Sequence, residues 1–239
     1  VAFPLMSLQA QEIVCGPFNF RSNRIQDTLG IKNWPEDTFA ISTKYPTAQP
    51  AKPAAGFPWD KIDYTRKSED WAKAVLKYCW EGNVENDFRV EKNENRQWYH
   101  VPNLNQGRLG RDFIHGLVPS RTSKAKELSP NQTRNVRNFA LEFYNDLGGY
   151  TIGQVYCNPN MADESAAIFP DGTVFFRLVF TTADTSMAPF LKNSLTWQAY
   201  VNTDISSAST PRVTAQVRLA QVDVAVKTIS DKAPTGWVM

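Results

Sequence analysis

Both histidines of the chain, His100 and His115, lie in a single sixteen-residue window that also holds Arg108, Arg111 and Asp112. Imidazole is the side chain whose unperturbed pKa lies nearest neutrality, so acid–base chemistry is sought here first. In one reading Arg108 and Arg111 clamp a carboxylate or phosphate, His115 transfers a proton, and Asp112 orients or shares it. His100 is a second candidate proton carrier, and Arg121 a further anion-binding group. Gly107, Gly110 and Gly116 allow a ligand close to the backbone. A metal held by His100, His115 and Asp112 is the poorer alternative: the spacing matches no recognised ligand pattern, and no metal is assigned. The plainer alternative is that Asp112 pairs with an arginine, His115 donates to a backbone carbonyl, and the neighbouring lysines are simply solvated.

The charge balance bears on the partner. The 239 residues include 26 Lys+Arg and 24 Asp+Glu, a net +2. Resolved along the chain, residues 108–137 hold seven basic and two acidic side chains, a local +5, against 19 basic and 22 acidic elsewhere. A uniformly basic nucleic-acid binder is excluded, and no specific nucleic acid is expected. A small anionic ligand or a local acidic partner is left open. The chain contains no G-x-S-x-G elbow, H-E-x-x-H, Walker loop or G-x-G-x-x-G, so no cofactor is implied. Trp59, beside Asp60 in Phe57-Pro58-Trp59-Asp60, suits stacking on a sugar ring, or else pins the preceding proline-rich segment to the domain.

The elements that must position these residues are read from periodicity. At 42% hydrophobic and 21% charged residues the chain should fold around a true core, and no apolar run approaches the ~18 residues of a membrane span. Pro46, Pro50, Pro53 and Pro58 make an extended strap, so residues 1–56 are read as an N-terminal arm and 57–239 as one domain. Ser68 with Glu69 and Asp70 opens a helix whose stripe is Ala72, Val75, Leu76, Cys79 and Trp80, stopped by Gly82. Ser129-Pro130-Asn131-Gln132 resembles a capping box, and Val136, Phe139, Ala140, Phe143, Tyr144 and Leu147 predict a second helix ended by Gly148-Gly149. Beyond Tyr150 the pattern is strand. Val174–Thr181 is apolar on both faces and so central, introduced by a turn at Pro170-Asp171-Gly172. Residues 197–202 alternate. Across 213–228 the apolar phase changes, which a one-residue bulge near Ala220-Gln221 would reconcile. The order predicts an α+β fold: a mainly antiparallel β-sheet, two packed helices and an extended Pro-rich arm.

Three cysteines allow at most one internal disulfide. Cys79 fits the helix stripe as a buried thiol, leaving Cys15 with Cys157 as the pair to test. The opening Val-Ala-Phe-Pro-Leu-Met-Ser-Leu-Gln-Ala reads either as a signal-peptide remnant ending at Ala10 or as an apolar arm. The blocks Trp98–Pro102, Gly110–Leu117, Phe143–Asn145, Gly148–Val155, Phe169–Val174, Gln221–Val226 and Thr235–Val238 resemble uncharacterised exported bacterial proteins. That resemblance implies a bacterial, periplasmic, cell-envelope or secreted location. It also implies a further strand after Thr235–Met239, which would make this chain a C-terminally incomplete copy. The leading functional expectation is a binding or accessory protein whose arm and basic 108–137 segment contact a protein partner or subunit assembly. The alternative is a hydrolase or transferase of an anionic substrate built around His115.

Overall fold

The computed structural model of the chain describes residues 44–101, 117–157, 162–201 and 213–239. Among these residues seven strands form one sheet: β1 (Tyr99–His100), β2 (Val118–Ser123), β3 (Val136–Tyr144), β4 (Val174–Thr181), β5 (Thr196–Val201), β6 (Val213–Lys227) and β7 (Trp237–Val238). The order is β1-β3-β4-β6-β5, with β2 also on β3 and β7 also on β6, and every pairing is antiparallel. With helices α1 (Ser68–Trp80) and α2 (Asp146–Val155), this is the expected α+β architecture.

Alternation explains why β4 lies at the centre. Val174, Phe176, Leu178 and Phe180 are completely buried, while Phe175, Arg177 and Val179 on the other face are half-buried. The inward set packs with Phe139, Leu141 and Phe143 of β3, with Trp98, and with Trp197 of β5, which stacks on Phe180 at 4.4 Å. Helix α1 closes this layer with Trp71, Val75 and Cys79. The pairing of β4 with β6 steps from Val179↔Gln221 to Phe180↔Leu219, so Ala220 is the extra residue of a bulge. That resolves the phase change: Val217 and Leu219 before it, and Val222, Val224 and Val226 after it, all join the main core.

The first helix forms, with Lys67 rather than Ser68 in the capping position and Gly82 beyond its end at φ +76°. The face it buries is Trp71, Val75 and Cys79. Of the expected stripe Leu76 is only half-buried and Trp80 is exposed, because the bulky Trp71 at the same step of four fills the core instead. The second helix does not form. Residues 136–144 are strand β3, and helix α2 begins where the predicted one was to end. The apolar residues Phe139, Leu141 and Phe143 also satisfy a period of two, and two flanking strands supply hydrogen bonds that outweigh local propensity. The capping-box residues instead build a loop. Gln132, fully buried, accepts from Leu128 N at 2.9 Å and donates to Arg134 O at 2.9 Å and Ser123 O at 3.2 Å. Gly148 and Gly149 lie inside α2, where they admit neighbouring rings. A Cβ on Gly149 would stand 2.3 Å from Tyr99, and one on Gly148 2.4 Å from Tyr144. Asn145 caps α2 and holds it to β4, accepting from Gly148 N and Val174 N and donating to Gly172 O.

The described end of the arm lies on the domain. Tyr45 donates to His100 O at 2.5 Å, Lys52 pairs with Asp171, and Phe57 stacks on Trp59 at 4.8 Å with Tyr78 edge-on to both. Tyr45 joins Tyr99, Ile152, Val155 and Tyr156 in a second, smaller core around α2. No helix among the described residues is long and apolar enough to cross a membrane.

Candidate functional site

The basic segment is built on the β2–β3 hairpin. Its loop is held by the buried Gln132 amide, by Lys126 N donating to Gln132 O, and by Ala125 N donating to the Asn135 side chain. Lys126 takes a positive φ of 67°, a conformation that turns the chain tightly here. Arg121, Lys124, Lys126, Arg134 and Arg137 are all exposed, and Glu127 is the one acid among residues 117–137. Glu127 accepts from Lys124 N at 2.8 Å and pairs with Arg121. Those two contacts, the backbone donor first, hold its carboxyl below the usual range. The hairpin therefore presents five cations against one carboxylate, on a backbone whose loop is internally satisfied. Asp184 adjoins it: its carboxyl is held low by the Ser186 hydroxyl first and, least of its causes, by the charge of Arg134.

The sequence candidates divide. Arg121 is on this hairpin. His100 is buried in β1, its ring edge-on to Phe143 at 6.2 Å, a place within the sheet rather than at a surface. Trp59 is 4% exposed, stacked on Phe57 with Tyr78 edge-on, so it pins the strap to the domain rather than offering a stacking face. Arg108, Arg111, Asp112 and His115 lie outside the described residues. The residues flanking them meet β3 at neighbouring positions: Val101 N donates to Glu142 O, and Val118 pairs with Ala140. Cys79 is a free buried thiol, pushed up to about 12 by burial, and Cys157 is disulfide-bonded. Cys15, its expected mate, is outside the described residues. Among the described residues no group of three or more His, Cys, Asp or Glu could hold a metal ion.

Two arrangements escape sequence reading. The first is a charged row across three strands, with Glu142, Arg177 and Asp223 directly opposite one another. Arg177 donates to Asp223 through Nε at 2.8 Å and Nη2 at 2.5 Å, and its Nη1 lies 3.7 Å from Glu142. Burial raises the Glu142 carboxyl; Arg177 opposes that shift and Asp223 adds to it. The second is a cleft of about 520 Å³ with Lys52 and residues 59–64 on one side and Asp171, Gly172 and residues 226–232 on the other. Lys52–Asp171, Lys232–Asp63 at 3.0 Å and Tyr64–Ser230 at 3.3 Å link its two walls. In both places the opposed charges satisfy one another, whereas the hairpin carries a surplus of one sign. Comparison with protein-family models, with curated proteins and with solved structures found no match.

Proposed function

We propose that the chain is a secreted or cell-envelope binding protein that engages an anionic partner through its basic segment, with the N-terminal arm as a second contact region. The observation that carries this reading is the β2–β3 hairpin, with five exposed cations and one carboxylate. An exposed ribbon of one charge raises the encounter rate with an anion and discriminates against cationic surfaces. The fixed loop backbone means that little order has to be gained on binding. A carboxylate-rich protein surface or an anionic polymer fits this chemistry.

The test uses the full chain and fluorescent polyglutamate as the probe, followed by anisotropy. Affinity should fall by tenfold or more, in order of magnitude, between ~50 and ~200 mM salt, as expected where several cations release counterions. Lys124→Glu, Lys126→Glu and Arg134→Glu together should abolish it, with the unfolding midpoint unchanged. Equal binding by this variant and the parent would overturn the proposal.

A further inference from the structure

On the outer side of α1 and the 3₁₀ turn after it, Lys73, Lys77, Glu81 and Glu85 follow one another at steps of four, with the sign changing at the midpoint. Leu76, Trp80 and Val84 keep the same step beside them. All seven line one groove of about 490 Å³. Trp80 is 38% and Val84 50% exposed, two large apolar side chains left in water at adjoining places. The pattern inverts about its centre: Lys77 with Glu81 and Lys73 with Glu85 are centred on residue 79 and Leu76 with Val84 on residue 80, so a two-fold axis between Cys79 and Trp80 nearly exchanges each pair.

We propose that this groove is closed by a second copy of this chain in an isologous dimer. About that axis Trp80 meets its own counterpart, each Leu76 meets a Val84, and both lysines of one copy face both glutamates of the other. A two-fold interface must be self-complementary, and a charge pattern that inverts across its centre meets that requirement. A parallel arrangement would bring lysine onto lysine. Lys77 and Glu85 make no ion pair among the described residues. Lys73 pairs with Glu69 at 2.6 Å, both highly exposed, and such a contact exchanges at little cost. Glu81 pairs with Arg96 and keeps lone pairs for a second cation.

Sedimentation equilibrium on the full chain tests this. The parent should show a concentration-dependent dimer, and Trp80→Ala should weaken it about thirtyfold, as for a central aromatic anchor. Lys73→Glu and Glu85→Lys should each weaken it, because like charges then meet across the axis. The double variant should recover the parent constant to within about threefold, because the pair is restored with its signs exchanged. Far-UV circular dichroism and the unfolding midpoint establish that each variant is folded. The charge pair decides the matter even if Trp80→Ala does not fold. A parent that stays monomeric up to roughly millimolar concentration would overturn the proposal. So would a double variant no tighter than the single ones.

Discussion

Replacing Arg177 with methionine isolates the worth of the charged row on the outer face of the sheet. Asp223 would lose two charge-assisted donors and keep one, the Gln221 amide at 2.5 Å. Glu142 would lose a cation at 3.7 Å, and two half-buried carboxylates would then share the face uncompensated. At that separation a unit pair is worth ~1 kcal/mol in water and ~4 kcal/mol at an effective dielectric constant of ~20. The three side chains are 28–41% exposed, so screening takes the net loss to about 1–2 kcal/mol. A chain of this size loses about 2–4 °C of Tm per kcal/mol, a drop of about 2–8 °C.

The pH dependence separates this cause from lost packing. The folded carboxyl of Glu142 lies above its ordinary value, so the native state holds more protons than the unfolded one over the window just above ~4.3. Stability therefore falls as pH rises through that window. Removing Arg177 takes away the influence that lowers the Glu142 pKa, which widens the window and deepens the fall. Urea unfolding of parent and variant should show a stability gap that is wider near pH ~7.5 than near pH ~4. A gap of equal size at both, or none at pH ~7.5, would refute the reasoning.

Three further outcomes follow from the packing. Gln132→Leu leaves Leu128 N and the carbonyls of Ser123 and Arg134 without their buried partner, and should cost about 2–4 kcal/mol in urea unfolding, more than an exposed loop substitution. Gly149→Ala sets a helix-propensity gain of ~1 kcal/mol against a Cβ 2.3 Å from the buried Tyr99 ring; the clash should win and the Tm should fall. The Cys79 thiol, pushed up to about 12 and 1% exposed, should resist a thiol reagent at pH ~8 until the chain unfolds. Peptide mapping without reduction should meanwhile recover Cys157 joined to Cys15, and recovery of any Cys79 disulfide would contradict both assignments.

What the sequence makes legible is set by the range of the forces involved. Helix α1, the double-sided β4 and the bulge at Ala220 are local patterns, and all are present, although α1 buries Trp71 and leaves Trp80 of the expected stripe exposed. The stretch 136–144 obeys two periods at once. Its pairing with β1, β2 and β4 depends on residues far along the chain, so local reading favoured the wrong one. The capping residues Ser129 and Gln132 carried a true turn signal whose amide folds back into a hairpin loop instead of opening a helix. The basic segment was visible as a count, but its shape as a hairpin was not. The row Glu142–Arg177–Asp223 joins three positions that only sheet register brings together, so no spacing announces it.

Strand β6 governs the order in which the sheet can assemble. It is fifteen residues long, with β4 along one edge and β5 and β7 along the other. Among the described residues β5 pairs only with β6, so the two are expected to reach β4 together. Docking them closes contacts between residues 37 to 52 positions apart, from Thr181↔Arg218 to Val174↔Val226. Long-range closure of this kind is slow, and until it occurs β6 presents a long apolar edge with unspent hydrogen bonds. Refolding is therefore a race between that edge meeting β4 of its own chain and meeting a second chain. The yield of native protein falls as chain concentration rises, and the bulge at Ala220, which bends the waiting edge out of the flat form other strands would extend, favours the productive outcome.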